Sequence, residues 1–126
     1  MPTQTATIRG IDITAYLAQD ANRAVKFYTD LFGRDVTQSY GENGGEWTFP
    51  DGTTFGVWKM NDGSFHPSGG VMFAVDDLKE AYKELKSRGV QIEEPFENPP
   101  CFMAECKDTE GNSFLLHQRK GGRDQG

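Results

Sequence analysis

The sequence predicts an α+β fold made of two successive βαβββ modules, about residues 8–60 and about residues 70–119. Three observations predict it: two helical stripes that each begin at an aspartate, two late hairpins, and nearly one offset relating them. Asp20, Ala24 and Gly33 correspond to Asp77, Ala81 and Gly89 at a shift of 56 or 57 residues. Asp51-Gly52-Thr53-Thr54-Phe55 corresponds to Glu110-Gly111-Asn112-Ser113-Phe114 at a shift of 59. A repeat on this scale means two copies of one supersecondary unit, neither able to bury its sheet alone. At 126 residues the expectation is a single domain large enough for its own core.

In the first module a strand is expected over residues 8–18. Asp20 is a good N-cap because its carboxylate can accept from the free N–H groups of the first turn. Ala21, Ala24, Val25, Tyr28, Leu31 and Phe32 follow at helical spacing, and Gly33 supplies the left-handed residue that ends many helices. Residues 34–40 alternate weakly, 41–45 read as a turn, and 46–49 and 53–60 read as aromatic strands around Pro50-Asp51-Gly52. Residues 61–69 form a Gly/Ser/Asp/Pro connector.

The second module repeats the order. A strand over 71–75 leads to Asp77, with Glu80 completing a box-like helix start, then Leu78, Ala81, Tyr82 and Leu85 as an apolar stripe ending at Gly89. Strands are expected over 90–94, 102–107 and 113–119, turns over 97–100 and 108–112, and a loose tail over 121–126. Gly69-Gly70 suggests a close backbone approach where the second module starts, and Glu93, Glu94 and Glu97 suggest a charged, solvated strand edge.

Composition narrows the partners. The net charge of −6 and pI near 4.8 disfavour nucleic acid and anionic membranes, and favour a cationic ligand weakly. No apolar run approaches the ~20 residues of a membrane span, and residues 1–7 lack a signal-peptide layout. Cys101 and Cys106 lie five apart on one expected strand, on opposite faces and roughly 16 Å from each other at ~3.3 Å per residue. That is too far for a disulfide, so two free thiols and a cytoplasmic location are expected. Nine Phe, four Tyr and two Trp fill the core for the most part, with some left for a pocket.

Three motifs carry a resemblance. Phe27-Tyr28-Thr29-Asp30-Leu31-Phe32-Gly33, Phe73-Ala74-Val75-Asp76-Asp77-Leu78 and Asp108-Thr109-Glu110-Gly111-Asn112-Ser113-Phe114 stand in order on the repeat. They resemble the first helix, the second-module opening and the closing D-P-x-G-N turn of the vicinal-oxygen-chelate superfamily, which includes glyoxalases, bleomycin-resistance proteins and dioxygenases. The resemblance covers residues 8–119. It implies curved mixed sheets around a cleft with helices outside, and commonly a homodimer. The fold hosts unrelated activities, so function has to come from the site.

Metal-using members of that superfamily place one ligand on the first and one on the last strand of each module, and the ion polarises adjacent substrate oxygens. Registering the motifs puts these positions at Ile13, Gly56, Gly70 and Leu115. None has a donor side chain, so no metal and no cofactor are expected. A slip to Asp12 turns the side chain to the other face and leaves three positions unrescued.

Residues two apart share a strand face, which adds Ala15, Leu17, Met72, Ala74, Trp58 and His117 to the cleft. Trp47 and Phe49 are further candidates for stacking on a planar or cationic ligand. The expected function is therefore a metal-free small-molecule binding protein. The alternative is a lyase- or dioxygenase-type enzyme. Its metal would sit in a displaced site that holds His66 or His117, the two histidines together anchoring it with Glu46 or Glu105, or His117 would serve as a general base without metal. Trp58 as a plain core or interface residue, and a partner-binding module without a small ligand, are the remaining readings.

Overall fold

Helix α1 (Ala21–Phe32) starts where the Asp20 carboxylate accepts the Arg23 N–H, and ends at Gly33 in the left-handed region at φ 67°. Its apolar stripe buries Ala21, Ala24 and Tyr28. Helix α2 (Leu78–Ser87) repeats the device: Asp77 accepts the Glu80 N–H, and Leu78 and Leu85 are buried. A computed structural model of the chain describes residues 7–121, so the expected tail beyond residue 121 and most of the N-terminal stretch lie outside the described residues.

Around these helices the strands run β1 (Thr14–Leu17), β2 (Gln38–Ser39), β3 (Gly44–Thr48), β4 (Thr54–Trp58), β5 (Val71–Ala74), β6 (Gln91–Ile92), β7 (Phe96–Asn98), β8 (Cys101–Lys107) and β9 (Ser113–Arg119). They form two mixed sheets, ordered β1-β4-β3-β2 and β5-β9-β8-β6, with β7 pairing β8. The two orders are the same order twice, which is the repeat seen in the sequence. In each sheet the first strand lies parallel to the last: Ala15 faces Gly56 and Leu17 faces Trp58, as Met72 faces Leu115 and Ala74 faces His117.

Some expectations change. The first strand is shorter than residues 8–18, because no strand pairs with the chain before Thr14, and Ile8 and Ile11 stand in solvent. Within the 34–40 stretch only Gln38–Ser39 is strand, held to β3 by the Thr37 and Tyr40 N–H groups, which donate to the Glu46 and Gly44 carbonyls at 2.8 and 2.9 Å. Within the expected 41–45 turn, Gly41–Asn43 form a 3-10 turn, and Gly44 and Gly45 already belong to β3. Gly70 has open space where a Cβ would stand, so it serves a positive φ of 101° and not a close approach. β7 is an added edge strand where only a turn was expected.

One face of both sheets is covered by the helices. Tyr28 stands at the centre of that core, with Phe27, Phe32, Trp47, Phe55, Phe73 and Phe114 at ring-centroid distances of 4.9 to 6.4 Å. Each such ring contributes about 1.5–3 kcal/mol of burial, and these come from both modules. The Tyr16 hydroxyl bridges the sheets directly, donating to the Ser113 carbonyl at 2.7 Å and accepting the Val71 N–H at 3.0 Å.

The closing turn completes the joint. Asn112 Nδ2 donates to the Leu17 carbonyl at 3.0 Å, and its Oδ1 accepts the Ser68 N–H at 2.8 Å. Glu110 accepts the Gln19 and Asp20 N–H groups at 2.9 Å each and pairs with Arg23 at 2.7 Å. Both cysteines are free and buried, on β8 as expected.

Candidate functional site

Since Phe55, Val57, Phe114 and Leu116 point into the helix-covered core, their strand neighbours Gly56, Trp58, Leu115 and His117 point to the opposite, open face. Ladder register adds Ala15, Leu17, Met72 and Ala74 to that face, and Ile13 joins it with its Cδ1 3.3 Å from where a Gly56 Cβ would stand. Eight of the ten sequence-predicted ligand residues therefore share it. The other two do not. Trp47 pairs with Phe55 and is fully buried, its ring against Tyr28 and Phe32 and its Nε1 donating to the Arg34 carbonyl at 3.2 Å. Phe49 packs edge-on against Phe32 at 5.1 Å. The alternation of β3 puts Glu46, not Trp47, on the open face. The hairpin register around Pro50-Asp51-Gly52 was the signal for that, because it commits Trp47 to the face of Phe55.

The centre of module one is filled. A Cβ on Gly56 would stand 2.8 Å from Trp58 Cζ3 and 3.3 Å from Ile13 Cδ1. Gly56 is thus the floor beneath the Trp58 indole, which occupies the volume a ligand side chain would need. Its counterpart Leu115 is an alkyl group, and Gly70 has no side chain. The residues at these four positions do not fit a metal ion, which needs nitrogen, oxygen or sulfur donors. Among the described residues, no group of three or more His, Cys, Asp or Glu could hold one elsewhere.

Two carboxylates on the open face are related by the repeat, and the same alternation also places Thr48, Thr54, Lys107, Ser113 and His117 there. Glu46 stands opposite Gly56 and Glu105 opposite Leu115, at the hairpin shift of 59. The Glu46 Oε2 accepts the Tyr40 hydroxyl at 2.7 Å, a bond that raises the phenol above its ordinary pKa. Tyr40 escaped the sequence reading because β2 is two residues long and shows no periodicity. His117 is half-buried, with Ala74 and Met103 as its ladder partners, neither able to orient an imidazole as a base. His66 lies in the connector, exposed.

Among the described residues, a larger and a smaller cavity border these elements. The larger, about 790 Å³, is on the helix side, between the ends of α1 and α2, and is lined among others by Leu31, Arg34, Arg88, Val90 and Lys107. None of the predicted ligand residues lines it, and Arg88 is spent on the Asp30 carbonyl at 3.2 Å. The smaller, about 400 Å³, is lined by Tyr40, Asn43, Trp58, Lys59, Met60 and Asn61 and opens beside the Trp58 ring. We take the open face with this second cavity as the site.

Comparison with known proteins agrees with the architecture. The chain is similar to TnmS3, an antibiotic binding protein from Streptomyces sp. CB03234, with 19% identity, 91% of this chain and 99% of that one covered, and a TM-score of 0.73. It is similar to lactoylglutathione lyase from Agrobacterium tumefaciens, with 18% identity, 90% and 96% coverage and a TM-score of 0.73. It is also similar to the oxidase ChaP-H2, with 19% identity, 92% and 95% coverage and a TM-score of 0.69. At these identities the likeness shows the fold alone. Among curated proteins none matches the sequence. The family model of the Glyoxalase/Bleomycin resistance protein/Dioxygenase superfamily matches residues 10–116. That span holds two like-ordered sheets, but for the last three residues of β9, with an opening helix and a closing Asp-x-x-Gly-Asn turn, and the chain belongs to this superfamily, the vicinal-oxygen-chelate fold.

Proposed function

We propose that the protein binds a planar, largely apolar small molecule on its open sheet face without a metal ion. The observation that carries this reading is the occupancy of the four superfamily ligand positions: Ile13, Gly56, Gly70 and Leu115, with the Trp58 indole laid over Gly56. The centre of this surface offers apolar area for stacking, with polar groups such as Glu46, Glu105 and His117 around it, the usual balance of a ligand pocket. Met72, 51% exposed, and half-buried Leu17 and Leu115 extend the same surface. One structural neighbour, TnmS3, is an antibiotic binding protein, a precedent for ligand binding on this fold.

The test is a thermal-shift screen of planar aromatic compounds, with elemental analysis of protein purified without chelators. The reading expects stabilisation by some of the compounds, loss of that stabilisation in Trp58→Ala, and no stoichiometric Zn, Ni, Mn or Fe. Stoichiometric metal that is lost in His117→Ala would replace it with the enzyme reading.

A further inference from the structure

The cavity beside Trp58, about 400 Å³, is lined by two kinds of chemistry. One part is aromatic: the rings of Tyr40 and Trp58 meet at 83° with centroids 6.3 Å apart, and Met60, 40% exposed, extends the apolar area. The other part is polar and consists of Asn43, Lys59 and Asn61. The Lys59 N–H donates to the Asn43 carbonyl at 2.8 Å, which holds these two residues side by side at the end of β4. The side chains of all three have no hydrogen-bond or ion-pair partner among the described residues. Of the six lining residues only Lys59 is charged. Glu46 stands outside the lining, where its carboxylate accepts the Tyr40 hydroxyl at 2.7 Å and so fixes one of the two rings.

This pairing of rings with free donors is selective. A planar acid uses both parts, because its ring stacks on an aromatic face while its carboxylate, in the ring plane, reaches the ammonium and the amide N–H groups. A small inorganic anion would forfeit the aromatic contact. An ammonium group would meet Lys59, and a neutral ring would leave that cation without a partner. The chain's net charge of −6 favours cations only diffusely. Solvent ions screen exposed charges beyond roughly 8 Å at physiological ionic strength, so the charge that lines the cavity decides.

We propose that Lys59, with Asn43 and Asn61, forms a subsite for a carboxylate on the planar ligand, a refinement that rests on the small-molecule-binding reading above. The test compares 2-naphthoate with 2-naphthamide at neutral pH, by calorimetry on the native chain. The two probes share ring and shape and differ in charge. The acid is expected to bind about fivefold tighter. Lys59→Gln should bring the ratio near unity with 2-naphthamide affinity unchanged, and Lys59→Arg should keep the preference. Lys79→Gln, an exposed change on α2, should leave the ratio as it is. Equal affinities in the native chain would overturn the subsite and leave the binding reading standing. A preference that survives Lys59→Gln, or one that Lys79→Gln abolishes equally, would also overturn it. Binding of neither probe at millimolar concentration would overturn both readings.

Discussion

The Tyr28 hydroxyl donates to Asp108 Oδ2 at 2.7 Å, so the middle of the first module's helix is tied to the last turn of the second. Asp108 also accepts the Glu110 and Asn112 N–H groups at 2.8 and 2.9 Å and Asn112 Nδ2 at 2.9 Å, which leaves a buried carboxylate fully hydrogen-bonded. The turn that resembles the superfamily's closing motif is therefore an inter-module joint. Tyr28→Phe removes one donor and keeps the ring, while Asp108 retains its other three bonds. The expected loss is about 1–2 kcal/mol, or roughly 4–8 °C in Tm, read by urea and thermal unfolding, with probe affinity unchanged in the folded protein.

Glu110 makes the joint pH-sensitive. Burial alone raises its carboxyl, but hydrogen bonds from Arg23, the Asp20 N–H, Thr109 and the Gln19 N–H outweigh burial and hold it at about 2, against an ordinary 4.5. A depressed folded pKa stabilises the protein above the ordinary value, and that contribution fades as the pH falls from about 4.5 towards about 2. Denaturation midpoints of the native chain should fall across this window. Glu110→Gln should be less stable at neutral pH and converge with the native chain at the acid end. Parallel curves at all pH values would remove Glu110 from the account.

The cysteines should be silent. Burial, with the nearby Glu105 charge, pushes the Cys106 thiol up to about 12, so its thiolate is scarce at neutral pH. Cys101 is 5% exposed and Cys106 1%. A chromogenic disulfide reagent should label neither thiol in the native protein and both in denaturant. Rapid labelling of one thiol under native conditions would show that β8 opens locally.

Much of this architecture was legible because it rests on short-range chemistry. Asp20, Gly33 and Asp77 are caps whose function is local, and the 59-residue hairpin offset survives as an equal strand order in both sheets. What was illegible depends on partners distant in sequence. Residues 8–13 carry apolar side chains like those of a strand yet lack a neighbour to pair with. Nothing near Glu110 in the sequence announces Arg23, 87 residues away. Trp47 was misplaced for a different reason: a large aromatic suits a pocket or a core equally well, and only its pairing with Phe55 decides. Tyr40 reaches the site through one hydrogen bond to Glu46, which no periodicity reports.

Two glycines on adjacent strands separate the demands of the site from those of the fold. At Gly56 an added Cβ would meet the Trp58 ring at 2.8 Å and Ile13 Cδ1 at 3.3 Å, both side-chain atoms. The backbone there has no positive φ, so Gly56→Ala should fold with the indole displaced. Its Trp58 fluorescence should be red-shifted and more quenchable by acrylamide, and planar compounds should bind about tenfold more weakly, a loss of ~1.4 kcal/mol of stacking. At Gly44 the added Cβ would stand 2.1 Å from the Val57 carbonyl oxygen and 2.7 Å from the Trp58 Cα, at a φ of 136°. Backbone cannot move aside without breaking the β3–β4 ladder, so Gly44→Ala should lose at least ~3 kcal/mol of stability. Binding lost in Gly56→Ala without the fluorescence change would mean that Trp58 is not the surface the ligand touches.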